Sequence, residues 1–100
     1  WSREFMTNLI DVGPVHIVHY DNSILTIYHL NKGEGVMKHT HDYAHLTLCQ
    51  AGLLVIRKEN IEKVIDKNST PINLKGNEWH EFEALEDGTV LINLFTKDKY

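Results

Sequence analysis

Turn-forming residues recur every eight to ten positions along this chain, and that punctuation limits its fold more than any other feature. Asp21-Asn22-Ser23, the stretch from Asn31 to Gly35, Ala51-Gly52, Glu59-Asn60, Gly76-Asn77 and Glu86-Asp87-Gly88 all carry residues suited to tight turns. No window between them has the apolar spacing of a convincing helix. The segments alternate apolar and polar residues or are rich in β-branched and aromatic ones, which is the pattern of strands. Strands are expected at 15–20, 24–30, 44–50, 53–58, 61–66, 71–75, 80–85 and 89–96, with one helical turn around residues 2–9. A single sheet of so many strands would leave an apolar face and two edges open. The chain is therefore expected to be all-β, closed as a small barrel or jelly roll. Residues 1–14 form an N-terminal extension and residues 15–100 the barrel domain.

Composition removes several classes of function. The chain has 100 residues, enough for one domain with one core, and its 42% hydrophobic and 24% charged residues are ordinary for a globular protein. Ten Lys and Arg against 14 Asp and Glu give a formal charge of −4 with no basic cluster, so no nucleic-acid partner is expected. No apolar run approaches the ~18 residues of a membrane-spanning helix, and no membrane partner is expected. The start, Trp1-Ser2-Arg3-Glu4, lacks the order of a signal peptide, and Cys49 as the single cysteine cannot close an intramolecular disulfide. A reducing, cytoplasmic location follows as the expectation. Sheet edges carrying scattered apolar residues point to a homodimer.

Against one cysteine stand seven histidines, and the spacing of four of them suggests a metal site. Side chains two apart on a strand return to the same face about 6.6 Å further on, so His39 and His41 can converge on one ion. On a straight strand His45 would lie about 20 Å from His39, too far to share a metal held at about 2.1 Å. A turn between them, at Asp42-Tyr43-Ala44, is required. After that turn His45, Thr47 and Cys49 share one face of the next strand, with Leu46 and Leu48 on the other. His80 begins a later strand on the face of Phe82 and Ala84, and antiparallel return of that strand would close the site.

Gly33, five residues, His39-Thr40-His41, three residues, His45, six residues and Gly52 together resemble the first sequence motif of the cupin family. Histidine stands at 45 where that family usually has glutamate. Gly76, three residues and His80 resemble the second motif, with Leu74 at the usual proline, a gap one residue longer, and Ala84 at the usual asparagine. The resemblance covers roughly residues 15–96. It implies a double-stranded β-helix barrel with a metal on His39, His41, His45 and His80. An all-nitrogen donor set suits Fe(II), Zn, Ni, Mn or Cu and disfavours Ca or Mg, which prefer oxygen. Imidazole in place of carboxylate leaves the ion its full charge, which favours an anionic or chelating small-molecule substrate.

Three readings of function follow. The first is a non-haem, Fe(II)-dependent dioxygenase, a class the resemblance includes; the second is a metal-assisted lyase or isomerase with Tyr43 as a proton donor or base. The third is a non-catalytic binding module stabilised by its metal. Of the other residues, His16, His19 and His29 are read as incidental and Cys49 as a buried small apolar side chain. Trp79 is read as turned away from His80, and Glu78, Glu81 and Glu83 as a solvated acidic edge. Tyr28, Phe82, Ile92 and Leu94 are expected to line the barrel.

Overall fold

In the computed structural model, residues 9–39, 44–59 and 61–96 are described. They form ten strands: β1 (Ile10–Asp11), β2 (His16–Tyr20), β3 (Ser23–Leu30), β4 (Glu34–His39), β5 (His45–Ala51), β6 (Leu54–Lys58), β7 (Ile61–Ile65), β8 (Ile72–Leu74), β9 (His80–Ala84) and β10 (Thr89–Thr96). The expected strands all appear within a residue or two of their expected ends. Two were not expected, because the 31–35 turn gives way to strand at Glu34 and because Ile10–Asp11 pairs with β4. The helical turn expected near residues 2–9 falls almost wholly outside the described residues.

The strands make two five-stranded sheets, in the orders β1-β4-β9-β6-β7 and β2-β3-β10-β5-β8. Among the described pairings only β1 with β4 is parallel. Hairpins do not explain this order. β10 lies between β3 and β5, and β9 between β4 and β6, so distant segments interleave as in a jelly roll. The inward faces bury Leu30, Cys49, Leu54, Ile56, Ile65, Leu74, Phe82, Ala84 and Leu91 in one cluster. Burying each large aliphatic side chain contributes roughly 1.5–3 kcal/mol, and this cluster is the main apolar contribution to the fold.

The glycines that open and close the first motif serve the backbone. Gly33 (φ 89°) and Gly52 (φ 77°) adopt the left-handed conformation that other residues avoid. A side chain at Gly52 would also place its Cβ 2.7 Å from the Cα of Thr89.

Two expectations about strand faces need correction. In β10 the inward residues are Leu91, Asn93 and Phe95, all buried, while Ile92 and Leu94 face outward. There Leu94 lies beside Leu25 and Leu46, and Ile92 beside Ile27 and Leu48. A strand apolar on both faces gives no alternation to set its register; Phe82 does face inward, as expected. Nor do Glu81 and Glu83 form a solvated edge. β9 is interior to its sheet, and Arg57 on β6 holds Glu81 and Glu83 at 2.8 Å each and Glu62 at 3.3 Å. Glu78 is paired with Lys58 at 3.0 Å. Acidic residues that look solvated in sequence are thus cross-strand partners of basic residues more than 15 positions away.

Candidate metal centre

Three of the four expected ligands lie within the described residues, and the fold brings them together from both sheets. His39 and His80 are direct cross-strand partners on β4 and β9. His45 reaches them from β5 in the opposite sheet, so between His39 and His45, where the distance argument required a turn, the chain also changes sheets. The ring centroids of His39 and His80 are 4.3 Å apart, and those of His45 and His80 5.2 Å. Rings sharing an ion at about 2.1 Å would have centroids roughly 4.6–5.3 Å apart for octahedral to tetrahedral angles. The rings meet edge to face, however, and among the described residues no three His, Cys, Asp or Glu side chains are already gathered to hold an ion. His41 and Tyr43, the fourth expected ligand and the expected proton donor, lie outside the described residues.

His39 faces inward because of an irregularity in β4. Regular alternation from the pair Val36 and Phe82 would set Lys38 opposite His80. A register shift between Val36 and His39 adds one residue, so His39 takes that place instead. Lys38 lies over the Trp79 ring, 4.4 Å from its centroid. The Met37 amide, inside the irregular stretch, donates to Asp11 Oδ1 at 2.8 Å, and β1 is held to β4 by Ile10 N–H to Gly33 O and Val12 N–H to Gly35 O. Part of the segment assigned before the barrel therefore secures the bend that aims a histidine.

The hydrogen bonds of the rings define which nitrogen can bind a metal. His39 Nδ1 lies 2.8 Å from the Met37 carbonyl and His80 Nδ1 3.1 Å from the Glu78 carbonyl. A carbonyl only accepts, so both Nδ1 atoms carry the proton, and in the neutral rings both Nε2 atoms carry the lone pair. His45 Nδ1 lies 3.1 Å from Thr47 Oγ1, which donates to Asn93 Oδ1 at 2.6 Å. This is the outer-shell pattern that fixes ring orientation in metal-binding histidines. Asn93 was overlooked in sequence, although it is the one amide within the apolar run of β10, and that was the available signal.

Around the histidines, Phe82 and Phe95 bring apolar rings to 6.5 and 6.4 Å from His45. Thr26, Asn93 and Thr47 form a buried polar row across β3, β10 and β5. Cys49, two residues deeper than Thr47, donates to Ala51 O at 3.1 Å, and burial pushes its thiol pKa up. It behaves as a small core residue rather than a nucleophile. His16, His19 and His29 are exposed on β2 and β3, and His16 meets His29 edge to face with centroids 5.9 Å apart.

Two sheets of interleaved strands enclosing a histidine cluster define a jelly-roll barrel with a candidate metal centre. More narrowly, the fold is that of a small cupin domain. The structure is similar to KdgF from Halomonas sp. (TM-score 0.73, 17% identity, over 81% of this chain and 74% of that one). It is also similar to a cupin-2 domain-containing protein from Shewanella frigidimarina (TM-score 0.70, 11% identity, 95% and 89% covered). A cupin superfamily protein from Desulfitobacterium hafniense gives a TM-score of 0.64 at 14% identity, with 87% and 82% covered. No protein-family profile matches the chain, and no curated protein matches it. Among the described residues no helix is long and apolar enough to cross a membrane.

Proposed function

We propose that this chain is a metal-dependent cupin enzyme that holds a divalent transition metal on His39, His41, His45 and His80 and carries out dioxygenase chemistry on a small anionic or chelating substrate. The observation that carries the reading is that His39, His45 and His80 meet from both sheets with Nδ1 of each engaged by a protein oxygen, and for His39 and His80 that oxygen is a carbonyl, which leaves Nε2 as the donor nitrogen. Iron(II) is the favoured ion; bound there, it would supply Lewis acidity and a one-electron couple for reaction with O2. The chain's own contributions are distinct from the ion's. With four neutral donors no protein carboxylate offsets the metal's charge, so an anionic substrate is favoured. Phe82 and Phe95 keep the neighbourhood of His45 apolar, which strengthens electrostatic interactions with whatever binds there.

The test begins with metal analysis of protein purified without a histidine tag, followed by oxygen uptake with a panel of small acids, thiols and diketones. Stoichiometric iron with substrate-dependent oxygen uptake is expected. Tightly held tetrahedral zinc with no water ligand would defeat the proposal, and turnover without oxygen uptake would replace it with the lyase or isomerase reading. His41→Ala is expected to lose bound metal. Stoichiometric metal retained in that variant would refute the ligand set.

A further inference from the structure

We propose that Thr47 and Asn93 act together as a positioning pair that sets the tautomer of His45, protonating Nδ1 and keeping the lone pair on Nε2 for the metal. The inference rests on the metal-binding reading above and concerns two residues that would not touch the ion. All three side chains are buried: His45 is 5%, Thr47 0% and Asn93 7% exposed.

His39 and His80 need no such help. Their Nδ1 atoms face carbonyls, which accept and cannot donate. His45 faces a hydroxyl, which can do either, so its tautomer is decided one residue further on. If Thr47 gives its proton to Asn93 Oδ1, its oxygen accepts from His45 Nδ1–H and Nε2 keeps its lone pair. If the Asn93 amide were turned and donated to Thr47, the threonine would donate to Nδ1, and the neutral ring would carry its proton on Nε2, where a metal must bind. In the structure Oδ1 of Asn93 faces Thr47, with the donor and acceptor 2.6 Å apart. The second arrangement blocks ligation; the first permits it.

The dependence is specific to histidine at this position. A carboxylate oxygen has no tautomer, so a glutamate at 45 would not need the pair. That difference separates a positioning role from mere support of the barrel.

The experiment reads the tautomer directly by long-range 1H–15N NMR on metal-free protein, at a pH above the histidine titration range. Wild type is expected to carry the His45 proton on Nδ1. Thr47→Val and Asn93→Leu are each expected to lose that preference, and Thr47→Ser to keep it. Cobalt(II) titration then compares affinities. Thr47→Val should weaken binding about 10–100-fold, the range for outer-shell partners, with Thr47→Ser within about threefold of wild type. In a His45→Glu background the same Thr47→Val change should cost less than about threefold. A wild-type proton on Nε2, unchanged cobalt affinity in Thr47→Val, or equal losses in the two backgrounds would each overturn the proposal. Should Thr47→Val fail to fold, Asn93→Leu gives the same readout. Failure of wild type to bind cobalt would refute the metal-binding reading, while the tautomer spectrum would still decide whether the pair sets His45.

Discussion

Inside the barrel, the apolar end and the histidine end are built from the same strands by different means. β5 passes from His45 through Thr47 to Cys49, and β9 from His80 through Phe82 to Ala84, so one strand face runs from histidine to core within five residues. At the apolar end Leu54, Ile65, Ala84 and Leu91 are almost fully excluded from water and owe their positions to packing. At the histidine end position depends on single hydrogen bonds and on one extra residue in β4. Packing tolerates many sequences of the right volume, whereas a ring nitrogen is aimed by one acceptor. The first kind of order provides stability and the second provides a usable donor atom, and substitutions at the two ends are expected to separate these properties.

The largest stability effect is expected at the apolar end. Leu54→Ala should lower the free energy of unfolding by about 2–5 kcal/mol, the usual cost of a buried leucine and its cavity, and urea denaturation measures it. Metal affinity of the folded fraction should be nearly unchanged. A large affinity loss would mean that the two ends are coupled. His80→Leu should reverse the pattern. It leaves the Glu78 carbonyl without its donor at a cost of about 1 kcal/mol, yet should reduce metal affinity more than about 100-fold, beyond the effect of any outer-shell change. Isothermal titration on the folded variant measures the second number.

Asp11→Ala tests the bend in β4. Loss of its bond to the Met37 amide should cost about 0.5–1.5 kcal/mol and speed hydrogen exchange at that amide and its neighbours in β4, with slower-exchanging amides in β6 unaffected. Equal exchange throughout would show that the bend is held without Asp11. The smallest effect concerns the outer surface. The hydrogen bond from Lys58 holds the Glu78 carboxyl below its usual range, with the charges of Lys58 and Lys75 adding to this. A lowered folded-state pKa gives a stabilisation that is complete above the unfolded carboxylate pKa and lost as pH falls through the folded value. Lys58→Gln should raise the Glu78 pKa in an NMR titration and flatten that part of the acid limb; an unmoved pKa would show that the ion pair does not persist in solution.

Much of this molecule is legible in the sequence because strands and turns are local. The spacing of Asn, Asp and Gly marked the ends of eight strands, and period-two alternation placed His45, Thr47 and Cys49 on one face and His80, Phe82 and Ala84 on another. Alternation failed on β10, where Val90 to Phe95 is apolar on both faces except at Asn93, and no local pattern distinguishes inward from outward. β4 was not expected as a strand, and its one-residue bulge changes which side chain faces inward without a sequence signature as clear as a glycine turn.

The sequence by itself determined that the chain is all-β, that His39 and His45 must be separated by a change of direction, and that His39, His41 and His45 fall within seven residues. Each is a matter of short-range geometry along one segment. The tertiary structure alone decided that His39 and His80 are cross-strand partners, that Arg57 ties Glu81 and Glu83 to the middle of a sheet, and that Asn93 stands behind Thr47 and His45. Those relations join residues 24 to 46 positions apart. They depend on the order in which β3, β10 and β5, and β4, β9 and β6, come to lie side by side, which the burial of the whole core selects and no local pattern encodes.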